Sequence, residues 1–100
     1  MLRGWELRRA LADRPAWRLE GERLIRRVHG RDFVQALELI QAVAMQAEDF
    51  GRHPSVHIDE FGHITFSISN PNHAGITVAE LRLADKVDAA LAGHAQPAAA

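Results

Sequence analysis

The residues of this 100-residue chain best suited to chemistry are its six histidines: His29, His53, His57, His63, His73 and His94. An imidazole titrates near ~6.5 and so can both take and give a proton at neutral pH. His53 stands at a corner, in the run Ala47-Glu48-Asp49-Phe50-Gly51-Arg52-His53-Pro54-Ser55-Val56, where a helical pattern ends and a His-Pro step leads into a strand. His73 lies in Asn70-Pro71-Asn72-His73-Ala74-Gly75, a loop by composition. Neither setting by itself assigns a catalytic role, and Arg52 cannot act as a base, since a guanidinium stays protonated in proteins. A histidine before proline at a corner also serves to cap carbonyls or to pack, and that structural role is expected of His53 ahead of catalysis. His57 and His63 flank a hairpin and, with His53 and His73, raise the question of a metal. Without a His-x-x-x-His helix or an acidic partner in register, the spacing does not make a zinc site, so neither metal nor cofactor is expected. His29 and His94 read as surface residues.

The elements that must position these groups fit one small domain. A hydrophobic content of 47% supports a single core, placed here over residues 1–92 with a tail over 93–100. The absence of cysteine excludes disulfides, a thiol nucleophile and thiolate zinc. No apolar run approaches the roughly 20 residues of a membrane span, and the arginine-rich start lacks the apolar core of a signal peptide. A soluble cytoplasmic protein is therefore expected, with no membrane partner. The net charge of −1 conceals an asymmetry: residues 1–31 hold nine arginines against four acids, whereas residues 32–100 hold three bases against nine acids. Opposite fields of this kind can orient a partner or a second copy of the chain. Nucleic-acid binding is not expected, because the pI is near 6.6 and both Trp5 and Trp17 fit core positions.

Residues 3–12 have the pattern of a short amphipathic helix, stopped by Asp13-Arg14-Pro15. Trp17–Glu20 and Leu24–Val28 alternate around Gly21, as in a hairpin. Asp32 caps a helix running to about Phe50, with Phe33, Leu37, Ile40, Ala44 and Ala47 on its apolar stripe, widened by Val43. Leu39, Ala42 and Met45 are left on other faces for contact with a second subunit. A second hairpin joins Val56–Asp59 to Ile64–Ser69. There Ile64, Phe66 and Ile68 should face the helices, and Thr65, Ser67 and Ser69 the open side. Thr77-Val78-Ala79-Glu80 is a capping box opening a last helix that bears Leu81, Leu83, Ala84, Val87 and Leu91. The fold class is α+β: a four-stranded antiparallel sheet with three helices packed on one face.

Asp32-Phe33-x-x-Ala36, Ala47-Glu48-x-x-x-Arg52-His53-Pro54-x-Val56, Ala74-Gly75-Ile76-Thr77 and Leu83-Ala84-x-x-Val87-Asp88 together resemble the pterin-4a-carbinolamine dehydratase family. Its diagnostic run is Ala-Glu-x-x-x-His-His-Pro-x-Trp, and the resemblance spans roughly residues 16–92. It implies this same α+β succession and a dimer. It also implies an activity, dehydration of 4a-hydroxytetrahydropterin, in which three histidines take a ring proton and protonate the departing hydroxyl. Here the first histidine position is Arg52, the second is His53, the third falls on Pro71, and Val56 replaces the tryptophan. The resemblance therefore implies His53 as the remnant catalytic residue, His73, two residues past Pro71, as the candidate substitute for the lost third histidine, and Arg52 as the substrate-binding residue, able to hold a pterin carbonyl. General acid and base each contribute on the order of 10²–10⁴-fold, so loss of two proton carriers predicts little turnover and makes pterin binding doubtful. The pattern is similar to that of the degenerate, dehydratase-like Rubisco assembly factors of α-carboxysome bacteria, which implies a non-catalytic homodimer acting on Rubisco subunits. The alternatives are an active dehydratase using His53 and a cofactor that stabilises a transcription factor's dimer.

Overall fold

The computed structural model describes residues 1–72 and 75–93. Its elements run α1 (Gly4–Ala12), β1 (Arg18–Glu20), β2 (Arg23–His29), α2 (Phe33–Phe50), β3 (Ser55–Ile58), β4 (His63–Ile68) and α3 (Val78–Ala92). The four strands make one antiparallel sheet in the order β1-β2-β4-β3. The expected α+β architecture is therefore present. From position 94 onward, the expected tail lies outside the described residues.

Strand alternation assigns the two faces of the sheet. Leu24, Val28, Ile64, Phe66 and Ile68 point to the helices and are almost wholly buried, together with Leu7 of α1 and Leu83, Ala84, Val87 and Leu91 of α3. Arg26 falls on the same inward face, opposite Phe66, and its guanidinium reaches Asp88 of α3. The Trp17 indole also donates to Asp88, at 2.9 Å, so the first hairpin is tied to the last helix by two donors on one carboxylate. Arg14 adds a bidentate pair to Asp85 at 2.8 and 2.9 Å. Outward from the sheet point Ile25, Arg27 and His29 of β2 and His63, Thr65 and Ser67 of β4.

The stripe by which α2 packs differs from the one expected. Its buried residues are Gln35, Ala36, Leu39, Val43 and Ala47, whereas Phe33 and Leu37 are 43% and 45% exposed and Ala44 is exposed as well. Both stripes have helical spacing, and close approach selects between them. The Cα, Cβ and N of Ala36 lie 3.0 Å from where a Cβ on Gly30 would stand, so the first turns of the helix fold close over the residue that leaves β2, where small residues allow it. Leu39, expected on another face, is consequently core at 1% exposure, while Met45 is 66% exposed. Trp5 departs in the same way: it is 56% exposed, while Trp17 is buried.

Candidate functional site

The corner after α2 is built by a left-handed residue. Gly51 has φ 87°, its N–H bonds to the carbonyls of Ala47 (2.9 Å) and Glu48 (3.1 Å), and the Arg52 N–H also donates to Ala47 O, at 3.2 Å. Glycine at this helix end reverses the chain without a steric penalty from Cβ. The reversal sends Arg52 toward α3 and leaves His53 at the surface.

The Arg52 guanidinium donates through Nη1 to Glu80 Oε2 and through Nη2 to the Ser69 carbonyl, at 3.0 Å. Glu80 is wholly buried, yet it is well supplied with donors. Its carboxylate accepts from the Thr77 N–H and hydroxyl, each at 2.6 Å, and from Asn70 Nδ2 at 3.2–3.3 Å. The capping box read from Thr77 and Glu80 is therefore present, and its acid also anchors Arg52. Burial alone would raise the Glu80 pKa, but the hydrogen bonds from Thr77, Arg52 and Asn70 outweigh it and hold the group at about 2. An acid that low stays ionised at neutral pH and exchanges no proton there.

The loop residues that reach this network are Ser69 and Asn70, the latter also accepting the Asn72 N–H at 2.8 Å through its side chain. Pro71, where the sequence put the third position, is exposed. His73 lies outside the described residues. His53 has a side chain 56% exposed, with Nε2 3.3 Å from Glu48 Oε2. Val56 sits on the edge strand, opposite Phe66 and 41% exposed. The structure thus joins Arg52 to Glu80, Asn70 and Ser69 as one ion-paired unit. His53 stands as a solvent-facing imidazole with a carboxylate beside it, and two clefts of about 340 Å³ on the surface are lined by other residues.

A second cluster lies on the open face. His29 and His63 are paired across β2 and β4, their rings stacked at 4.1 Å between centroids and 18° between planes. His63 Nδ1 lies 2.8 Å from Asp59 Oδ2, and His29 Nε2 lies 3.3 Å from the Phe61 carbonyl. Asp59 also accepts the backbone N–H groups of His63 and Phe61, each at 2.9 Å, and these bonds, that of His63 foremost, hold its carboxyl below its ordinary value. Sequence reasoning treated His29 as a plain surface residue and saw no acid in register with His63. The signal was present in the tight Asp59-Glu60-Phe61-Gly62 turn, which folds Asp59 back beside His63, but the partner strand could not be read from spacing.

The scaffold is an α+β fold whose helix-to-strand corner carries Arg52-His53-Pro54. The chain belongs to the family described as Pterin 4 alpha carbinolamine dehydratase, which it matches over residues 2–90. It is 36% identical over 87 residues to a Paracoccus denitrificans protein named "Putative pterin-4-alpha-carbinolamine dehydratase", covering 85% of this chain and 80% of that one. A Nocardia farcinica protein of the same name is 34% identical over 79 residues, covering 79% of this chain and 82% of the relative. In structure the chain is similar to a crystal structure described as a transcriptional coactivator/pterin dehydratase from Brucella melitensis. The TM-score is 0.78 at 23% identity, covering 89% of this chain and 96% of the other.

Proposed function

We propose that this chain is a non-catalytic member of the dehydratase family, a homodimer that binds a protein partner where its relatives' fold serves pterin chemistry. The observation that carries this reading is the engagement of Arg52. A residue at the first histidine position of the family's motif is ion-paired with a wholly buried glutamate and bonded to the Ser69 carbonyl, so it supplies no base and serves as a structural anchor. The stripe Val34, Leu37 and Met45 on the outer side of α2, together with Phe33, supports a helix-to-helix contact with a second copy. Resemblance to the dehydratase-like Rubisco assembly factors makes Rubisco large and small subunits the first partners to test. Such a dimer would favour assembled over free subunits by binding energy.

The reading is tested by equilibrium binding of tetrahydrobiopterin, followed by fluorescence, beside co-expression with Rubisco subunits. No saturable pterin binding together with co-purification of a Rubisco subunit is the expected result. Saturable binding weakened by His53→Ala would favour the second reading, an active 4a-hydroxytetrahydrobiopterin dehydratase. One observation supports that alternative: Glu48 Oε2 lies 3.3 Å from His53 Nε2, close enough to orient the ring.

A further inference from the structure

We propose that His29 and His63 form a two-imidazole site for a first-row divalent transition cation on the open face of the sheet. The two residues are direct cross-strand partners. The Gly30 N–H bonds to Gly62 O at 2.8 Å, which makes the adjoining pair the hydrogen-bonded one. His29 and His63 therefore occupy a non-hydrogen-bonded position, where side chains come closest, with Cα atoms about 4.5 Å apart.

Their hydrogen bonds assign the tautomers. A carboxylate and a carbonyl can only accept, so the Asp59 contact places a proton on Nδ1 of His63 and the Phe61 contact places one on Nε2 of His29. Lone pairs remain on Nε2 of His63 and Nδ1 of His29. Metal-bound histidines have the same outer arrangement, the second ring nitrogen donating to a carboxylate or a backbone carbonyl. Here both imidazoles have it before any ion is present.

Surrounding charge does not oppose a cation. Arg27, which lines the adjoining cleft, is neutralised by Glu20 at 2.8 and 3.3 Å, and Asp59 places a negative charge behind His63. Among the described residues no group of three or more histidine, aspartate or glutamate side chains is placed to hold a metal. The site is accordingly open, with two protein nitrogens and water completing the coordination. Binding tilts the stacked rings until their nitrogens approach about 3 Å, as required by bonds of about 2.0–2.1 Å at a right angle. The His63 side chain is 56% exposed and free to make that turn. Imidazole donors suit zinc, nickel and copper, and Cu²⁺ binds tightest in the first-row order.

The test is titration of the full chain with Cu²⁺, read by nitrogen hyperfine splitting in electron paramagnetic resonance, and with Ni²⁺ by calorimetry. One equivalent bound through two imidazole nitrogens is expected. His29→Ala and His63→Ala should each remove one nitrogen and weaken binding at least tenfold, with circular dichroism confirming the fold. Asp59→Asn should weaken binding about tenfold, the usual cost of losing an outer-shell carboxylate, while His57→Ala and His53→Ala leave it unchanged. Absence of binding, one-imidazole coordination, or binding that survives both single substitutions would overturn the assignment.

Discussion

A guanidinium cannot exchange protons near neutrality, and the one at position 52 is anchored through two of its donors to Glu80 and the Ser69 carbonyl. Its removal should be felt in stability first. Arg52→Ala strips the main counter-charge from a buried carboxylate that keeps its bonds from Thr77 and Asn70, and should cost about 2 kcal/mol in urea denaturation at pH 7. In a Glu80→Gln background the same substitution should cost much less, and equal costs in the two backgrounds would show that the pair is not coupled. The Glu80 pKa gives an independent check. Its folded value, about 2, lies below the ordinary 4.5, so the stabilisation is fully present above about pH 4.5 and disappears as pH falls toward 2. The amount at stake is on the order of 3 kcal/mol, and Glu80→Gln should flatten that acid limb of the stability curve. His53 was legible in the sequence as a corner residue, and it stands exposed beside Glu48, its ring capping no carbonyl among the described residues. The engagement of Arg52 was not legible, because its partner lies 28 residues away and read only as half of a capping box.

At the scale of elements, caps and alternation were readable and helix rotation was not. Asp32 accepts the Gln35 N–H at 2.8 Å, Thr77 and Glu80 form the reciprocal cap, and Ile64, Phe66 and Ile68 face inward as their alternation requires. Each of these depends on neighbours a few residues apart. The buried stripe of α2 depends instead on what it meets, and two stripes of equal spacing were available in one amphipathic sequence. Hydrophobic size favoured Phe33 and Leu37, whereas the fold buried Ala36 and Leu39, Ala36 against Gly30 just past the end of β2. Gly30→Ala should therefore destabilise by about 1–3 kcal/mol, since its Cβ would press on the backbone and Cβ of Ala36. A melting temperature within 1 °C of the parent's, to the order of ordinary error, would mean that this contact is looser than described.

For the whole molecule, the same rotation has a consequence. Turning Phe33, Val34, Leu37 and Met45 outward leaves apolar side chains on the longest helix 43–66% exposed, the kind of surface a second copy could cover in the dimer expected from the resemblance. Leu37→Glu should shift sedimentation from dimer to monomer at micromolar concentration with circular dichroism unchanged; a monomeric parent would remove this interface. The charge asymmetry is used in part internally: Arg14, Arg26 and Arg27 pair with Asp85, Asp88 and Glu20. Two of these three pairs link the basic first third to the acidic last helix, so the imbalance read as an external field also serves to close the fold. No helix among the described residues is long and apolar enough to cross a membrane.

The function proposed above requires that the corner at Arg52-His53 have lost its proton chemistry while its fold persists. The most direct measurement is dehydratase turnover on enzymatically generated 4a-hydroxytetrahydropterin, comparing the parent chain with His53→Ala and with a relative that has all three histidines. A rate at the uncatalysed level is expected for both the parent and His53→Ala, with the relative active in the same assay. Rapid turnover by the parent, abolished by His53→Ala, would contradict it and make His53 a catalytic residue.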